Sequence, residues 1–144
     1  MFVVYTEKNN QVTASYFHSE NECMNYVENS NASNFQILPA SRQFNNFYIS
    51  CLRWDKENNN FYFDLDVLIE FKKNTFRFIR TEYFDFLDRF LLKAIEMDDV
   101  NKKNTIIDLK QKLRDVTLVD FPTTYEEIEA FKPEVFRIIE NLNF

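Results

Sequence analysis

A chain of 144 residues with a formal charge of −6 has room for one domain with a real core, or for a small domain plus a helical arm, and it excludes two large independent domains. Hydrophobic residues make up 45% and aromatics 17%, which is enough apolar surface to offset chain entropy and argues against wholesale disorder, while the acidic balance argues against a surface that tracks nucleic-acid phosphates. Glycine is absent, which removes the P-loop, the dinucleotide fingerprint and the GxSxG nucleophile elbow, since each needs a positive φ or a backbone approach that a Cβ obstructs.

The fold class expected is α+β: a small N-terminal antiparallel β unit with a short helix over residues 1–63, then a helical module over residues 64–144. Phe2 to Tyr5 and Val12 to Phe17 are β-type runs separated by the polar Glu7-Lys8-Asn9-Asn10, which predicts a hairpin. Ser19 followed by Glu22 is a capping-box pattern that opens a short helix through Cys23 and Val27. Phe35 to Leu38 reads as a strand ended by Pro39, and Phe47 to Trp54 with Asn60 to Phe63 as a second hairpin around Asp55 to Asn59. Without glycine, Asn and Asp are left to serve the tight turns, because they tolerate the left-handed region better than other residues with a Cβ.

From Asp64 the pattern becomes helical. Leu65 to Met97 contains no proline, and Leu68, Lys72, Ile79, Tyr83, Phe86, Phe90 and Ala94 follow at near-helical steps beside a stripe of Phe76, Leu87, Leu91 and Ile95. A helix over 64–97 is predicted, capped by Asp64 or Asp66. Phe71, Phe78 and Phe84 lie off the main stripe, so this helix is expected to bury more than one face, part of it against a partner or another copy. Asp98-Asp99 turns the chain into a helix over 101–116, making an antiparallel hairpin, and Phe121-Pro122 ends that element. Thr123 or Thr124 caps a last helix over 124–142, interrupted near Pro133.

Little in the chain reads as chemistry. His18 is the single histidine and stands in no nucleophile motif, so a hairpin-end position is expected of it. Cys23 and Cys51 have no metal-ligand spacing and are expected as reduced, partly buried thiols. The acidic pairs, including the turn from Glu96 to Asp99, lack the alternating ligands and glycine of a calcium loop and read as caps and solvated faces. Asp85 and Arg89 suit a helical ion pair, and Trp54 a core or hairpin anchor. No catalytic residue, metal or cofactor is expected, so the chain reads as a non-enzyme. No apolar run approaches the roughly 18 to 20 residues of a membrane span, and the first residues lack the pattern of a signal peptide, so a soluble protein with no membrane partner is expected.

The most specific pattern lies in the helical half. Leu87, Asp88, Leu91, Ala94, Ile95 and Glu96 stand in one element, Lys110, Gln111, Leu113, Arg114 and Asp115 in the next, with the spaced arginines Arg77 and Arg80 before them. Thr124, Glu126, Glu127, Phe131, Pro133 and Glu134 follow. In order and spacing this resembles the helical module of small bacteriophage proteins described as tail-assembly-chaperone-like or tail-fibre-associated, over about residues 64–135. Two positions depart from that pattern: the family often carries small residues or glycine where Met97-Asp98 stand, and a tryptophan near Phe131-Lys132. In this chain, Leu87, Leu91, Ala94 and Ile95 are expected to form a seam for Ile106, Leu109 and Leu113, with Arg114-Asp115 closing the second helix where a buried or interfacial ion pair would fix the next connection.

The resemblance implies a non-enzymatic virion or tail-assembly protein. It would act through contacts with other virion or tail proteins, in several copies, located in host cytoplasm during assembly or in the virion. A phage inhibitor of a host enzyme or defence complex is the rival reading, since acidic surfaces can mimic nucleic acid. A small hydrolase or nuclease ranks below both.

Overall fold

The computed structural model describes residues 1–143 and is mixed α+β, with two compact units, Met1–Leu68 and the chain from Ile69 onward. Among the described residues no helix is long and apolar enough to cross a membrane.

The first unit is built on the sheet β2-β1-β3, with β1 (Phe2–Lys8) central between β2 (Gln11–Phe17) and β3 (Asn34–Pro39), all antiparallel. A strand covered on both sides needs a continuous apolar run, and β1 supplies one. Val3 and Tyr5 point to a cluster with Leu52 and Phe61, while Val4 points the other way to Cys23 and Val27 of α1 (Glu20–Ser30). The β1-β2 connection is the two-residue turn Asn9-Asn10, with φ of 54° and 64°. That connection needs positive φ at both positions. Every positive-φ residue described is Asn or Asp, as the missing glycine requires. Ser19 caps α1 as a full capping box, its Oγ accepting from Glu22 N–H while the Glu22 carboxylate accepts from Ser19 N–H.

The second hairpin is shorter than its sequence predicts. Only Leu52–Asp55 (β4) and Asn60–Phe63 (β5) pair, and Asn46–Cys51 forms 3-10 turns in place of a strand. Two features favour the turn. The Asn45 side chain accepts from Phe47 N–H at 3.0 Å, and three-residue spacing brings Tyr48 and Cys51 inward together. Asp55 orders the β4-β5 loop by accepting from the side chain and backbone of Asn58 and from Glu57 N–H, and those bonds, the Asn58 side chain first, hold its carboxyl below the usual carboxylate range. Trp54 packs edge-on to Phe61 at 5.0 Å, the anchoring position expected of it. His18 is exposed at the end of the first hairpin, and its backbone N–H donates to Glu22. Cys23 and Cys51 are buried free thiols, both pushed up by burial.

The second unit rests on α2 (Leu65–Glu96), α3 (Val100–Arg114), α4 (Tyr125–Ala130) and α5 (Glu134–Glu140). Asp64 accepts from Val67 N–H to start α2, Asp99 from Lys102 N–H to start α3, and Thr124 from Glu127 N–H to start α4. The core joins Phe76, Leu87 and Ala94 of α2 to Ile106, Leu109 and Leu113 of α3 and to Val135, Phe136 and Ile139 of α5. Phe136 meets Phe76 at 5.5 Å and Tyr83 at 5.2 Å, both edge-on. Lys72 is buried on α2, and its Nζ donates to the Glu129 carbonyl of α4 at 2.7 Å. Burial pulls the Lys72 ammonium below the usual lysine range.

Candidate interaction surface

The thirteen residues singled out in the helical half divide between holding the α2-α3 hairpin together and facing outward. Leu87, Ala94 and Leu113 are fully or almost fully buried, and Leu91 packs against the same core. Asp88 and Lys110 form an ion pair between the two helices. Two cations of α3 lie over the ring of Phe84, with Lys110 Nζ at 5.8 Å and the Arg114 guanidinium carbon at 5.9 Å from its centroid. Arg80 donates to the Arg114 carbonyl at 3.3 Å, close to the end of α3, where a cation offsets the helix dipole and an unsatisfied carbonyl. These residues clamp the far end of the hairpin around one aromatic ring.

Three expectations are corrected by this arrangement, and the reading of Phe84 is sharpened. Phe84, placed off the main apolar stripe, is half-buried beneath Lys110 and Arg114, so part of the second buried face of α2 is covered by α3. Ile95, assigned to the seam, is 54% exposed, because the small Ala94 fills the seam and the next residue is rotated some 100° around the helix. α3 does end at Arg114 with Asp115 as its C-cap, but both side chains are exposed and share Gln111, which accepts from Arg114 at 3.1 Å and donates to Asp115 at 3.1 Å, in place of a buried ion pair. Arg89 donates to the backbone carbonyl of Asp85 at 3.3 Å in place of the expected carboxylate.

Of the remaining singled-out residues, Arg77 is exposed and bonds Asn74 within α2. Glu96 is exposed at the end of α2 and lines a shallow groove of ≈ 540 Å³ with Phe86, Arg89, Phe90, Leu92 and Lys93. The acidic turn that follows has two structural duties. Asp98 takes φ of 53° and Asp99 caps α3. Small residues or glycine suit such a left-handed position, and Asp is among the few alternatives.

Four exposed apolar side chains lie about the hairpin turn, and others, among them Phe47, Ile107 and Leu118, are exposed elsewhere in the chain. Leu92 is 62% exposed, Met97 78%, and Ile95 and Val100 are exposed beside them. Leu92 and Ile95 are three residues apart and share a helix face, and Phe86 and Phe90 stand half-buried in the adjoining groove. Farther along α2, Phe78 is also exposed. Apolar residues gathered at the turn end of a helical hairpin, beside Arg89, Lys93 and Glu96, have the make-up of a contact surface. A second, smaller apolar groove of ≈ 330 Å³ runs between α3 and α5, lined by Val116, Val119, Pro133, Val135 and Ile138 among others.

Sequence reasoning missed the ring of Phe84 as the platform of the clamp, and a second tether on α5. There Tyr83 donates to Glu140 at 2.6 Å and Lys132 pairs with the same carboxylate. Burial first and the Glu140 contact second push the Tyr83 hydroxyl up to about 12, while Lys132 first and Tyr83 second hold the Glu140 carboxyl below the usual range. A Tyr at 83 and a Glu at 140, with 57 intervening steps of chain, carry no local signal of each other.

No protein-family model, curated protein or solved structure matches this chain in comparison with known proteins.

Proposed function

We propose that this protein is a non-enzymatic component of a bacteriophage tail or of its assembly, and that it works by protein-protein contact through the turn end of the α2-α3 hairpin. The observation that carries the reading is the cluster of Leu92, Ile95, Met97 and Val100 held outward on a tightly clamped hairpin, in the same stretch whose sequence resembles the phage family. A clamped hairpin suits this task, because a rigid contact surface loses less freedom on binding. Leu87, Asp88, Lys110 and Arg114 are then positioning residues, and the exposed apolar side chains make the contact.

Mass spectrometry of purified phage particles and of assembly intermediates tests the reading, with a Leu92→Glu/Ile95→Glu variant alongside. A tail role predicts this chain in particles or in intermediates together with tail proteins, and its loss from them in the variant. Recovery of the chain only in a complex with one host enzyme, absent from every particle fraction, overturns it in favour of an inhibitor.

A further inference from the structure

The three-stranded sheet of the first unit has two edges, and they are treated differently. The β3 edge ends in Pro39, and the Gln36 side chain there accepts from Phe61 N–H at 3.0 Å. The β2 edge, Gln11 to Phe17, has no proline, no charged residue and no break in its register with β1. Proline, charge and bulges are the usual means by which an edge is kept from pairing with another chain, and β2 has none of them.

The register says which groups are on offer. Lys8 and Gln11 flank the two-residue turn as a hydrogen-bonded pair, so the pairs Thr6 with Thr13, Val4 with Ser15 and Phe2 with Phe17 continue at alternate steps. The intervening residues Val12, Ala14 and Tyr16 turn their N–H and C=O groups away from β1. Among the described residues none of these backbone groups has a backbone partner. Tyr16 is ordered at the strand end by Asn46, whose side chain donates to its hydroxyl at 2.6 Å.

We infer that β2 pairs antiparallel with β2 of a second copy of this chain, with Ala14 facing Ala14 across the two-fold axis. In that register Val12 stands opposite Tyr16, Thr13 opposite Ser15, and Gln11 opposite Phe17, with each residue meeting one on the same face of the sheet. The outward groups of Val12, Ala14 and Tyr16 then bond their counterparts reciprocally. A β-branched residue meets an aromatic and a hydroxyl meets a hydroxyl, which are favourable cross-strand pairs. The occupant is a second copy because the match is self-complementary and because each copy carries a charge of −6. Two such acidic chains approach best along a strand where every residue is neutral. The result is one sheet running β3-β1-β2 into β2-β1-β3 of the second copy, an isologous contact.

Light scattering on the full chain across a dilution series, with two variants, tests this. Ala14→Pro removes an outward N–H and no bond to β1, and proline is tolerated on an edge strand. Wild type is expected as a dimer, and Ala14→Pro as a monomer with unchanged far-UV circular dichroism. Ala14→Cys places two thiols across the axis, where a hydrogen-bonded antiparallel pair has Cα atoms about 5.5 Å apart, within disulfide range. Mild oxidation should cross-link Ala14→Cys and leave the exposed-loop control Asn58→Cys uncross-linked. A monomeric wild type, a dimer that folded Ala14→Pro retains, or equal cross-linking of the two cysteine variants overturns the inference. Should Ala14→Pro fail to fold, the cysteine pair decides. The dimer should also survive Leu92→Glu/Ile95→Glu, which separates this edge from the helical contact surface.

Discussion

Replacing Phe136 tests whether α5 is an integral part of the helical unit. The ring is almost fully buried and touches Phe76 and Tyr83 edge-on. Phe136→Ala removes the burial and leaves a cavity between α2 and α5, which costs about 3–5 kcal/mol in well-packed cores. Phe136→Leu keeps most of the apolar area but forfeits two edge-on ring pairs of about 0.5–1.5 kcal/mol each, so roughly 1–3 kcal/mol is expected. A third variant, Ile138→Ala, changes a neighbouring α5 residue on the outer side and should shift stability by no more than about 0.5–1 kcal/mol. Urea unfolding followed by circular dichroism measures all three. With a slope of about 2 kcal/mol/M, Phe136→Ala should lower the midpoint by about 2 M. Equal midpoints for Phe136→Ala and Ile138→Ala would refute the packing account of α5.

The α5 tether gives a pH dependence with a definite sign at each end. Glu140 is held below its ordinary value, so its contribution is present above about pH 4.5 and is lost as pH falls through the lowered value; Glu140→Gln should flatten that acid limb in urea midpoints measured against pH. Tyr83 is pushed up to about 12, so its contribution is complete below pH 10 and is lost as pH rises from 10 toward 12, and Tyr83→Phe should remove that base limb. Lys72 is lowered, so its contribution is present above about 10.5 and lost as pH falls through its folded value; Lys72→Met should therefore steepen the net loss of stability above pH 10. At the hairpin turn, Asp98→Asn should be close to neutral and Asp98→Val should cost about 1–2 kcal/mol, read from thermal melts, because a β-branched residue resists positive φ. A double-mutant cycle on Asp88→Asn and Lys110→Met should give a coupling of about 0.3–1 kcal/mol, since the carboxylate is half exposed and screened.

How far the fold was legible follows from how local each determinant is. Ser19 with Glu22, Asp64 before α2 and Thr124 with Glu127 are patterns a few residues long, and each appears in the structure as a cap. Glu7-Lys8-Asn9-Asn10 and the β-type runs beside it announce the first hairpin for the same reason, although β1 runs on through Lys8 and leaves Asn9-Asn10 alone as the turn. The order β2-β1-β3 could not be read, because pairing Phe2 with Pro39 depends on chain separated by a helix. Asn46–Cys51 looked like strand because Phe, Tyr and Ile favour β, and the Asn45 cap outweighed that preference. Within the candidate surface, the helical period placed Leu87, Leu91 and Ala94 correctly. It could not decide Phe84 or Ile95, which lie at the borders of the apolar stripe. There the choice of inside or outside rests on what α3 presents, namely Lys110 and Arg114 over one ring and nothing over the other side chain.

Site-specific photo-cross-linking from position 95 during phage assembly tests the central claim most directly. A photoreactive residue replacing Ile95, at the exposed turn end of the hairpin, should give a discrete adduct with a tail or tail-assembly protein. That adduct should disappear when Leu92→Glu is added, and the same probe at Asn58 should not form it. No adduct at position 95, or one identical to that formed from Asn58, would contradict the assignment of this surface as the working face of the protein.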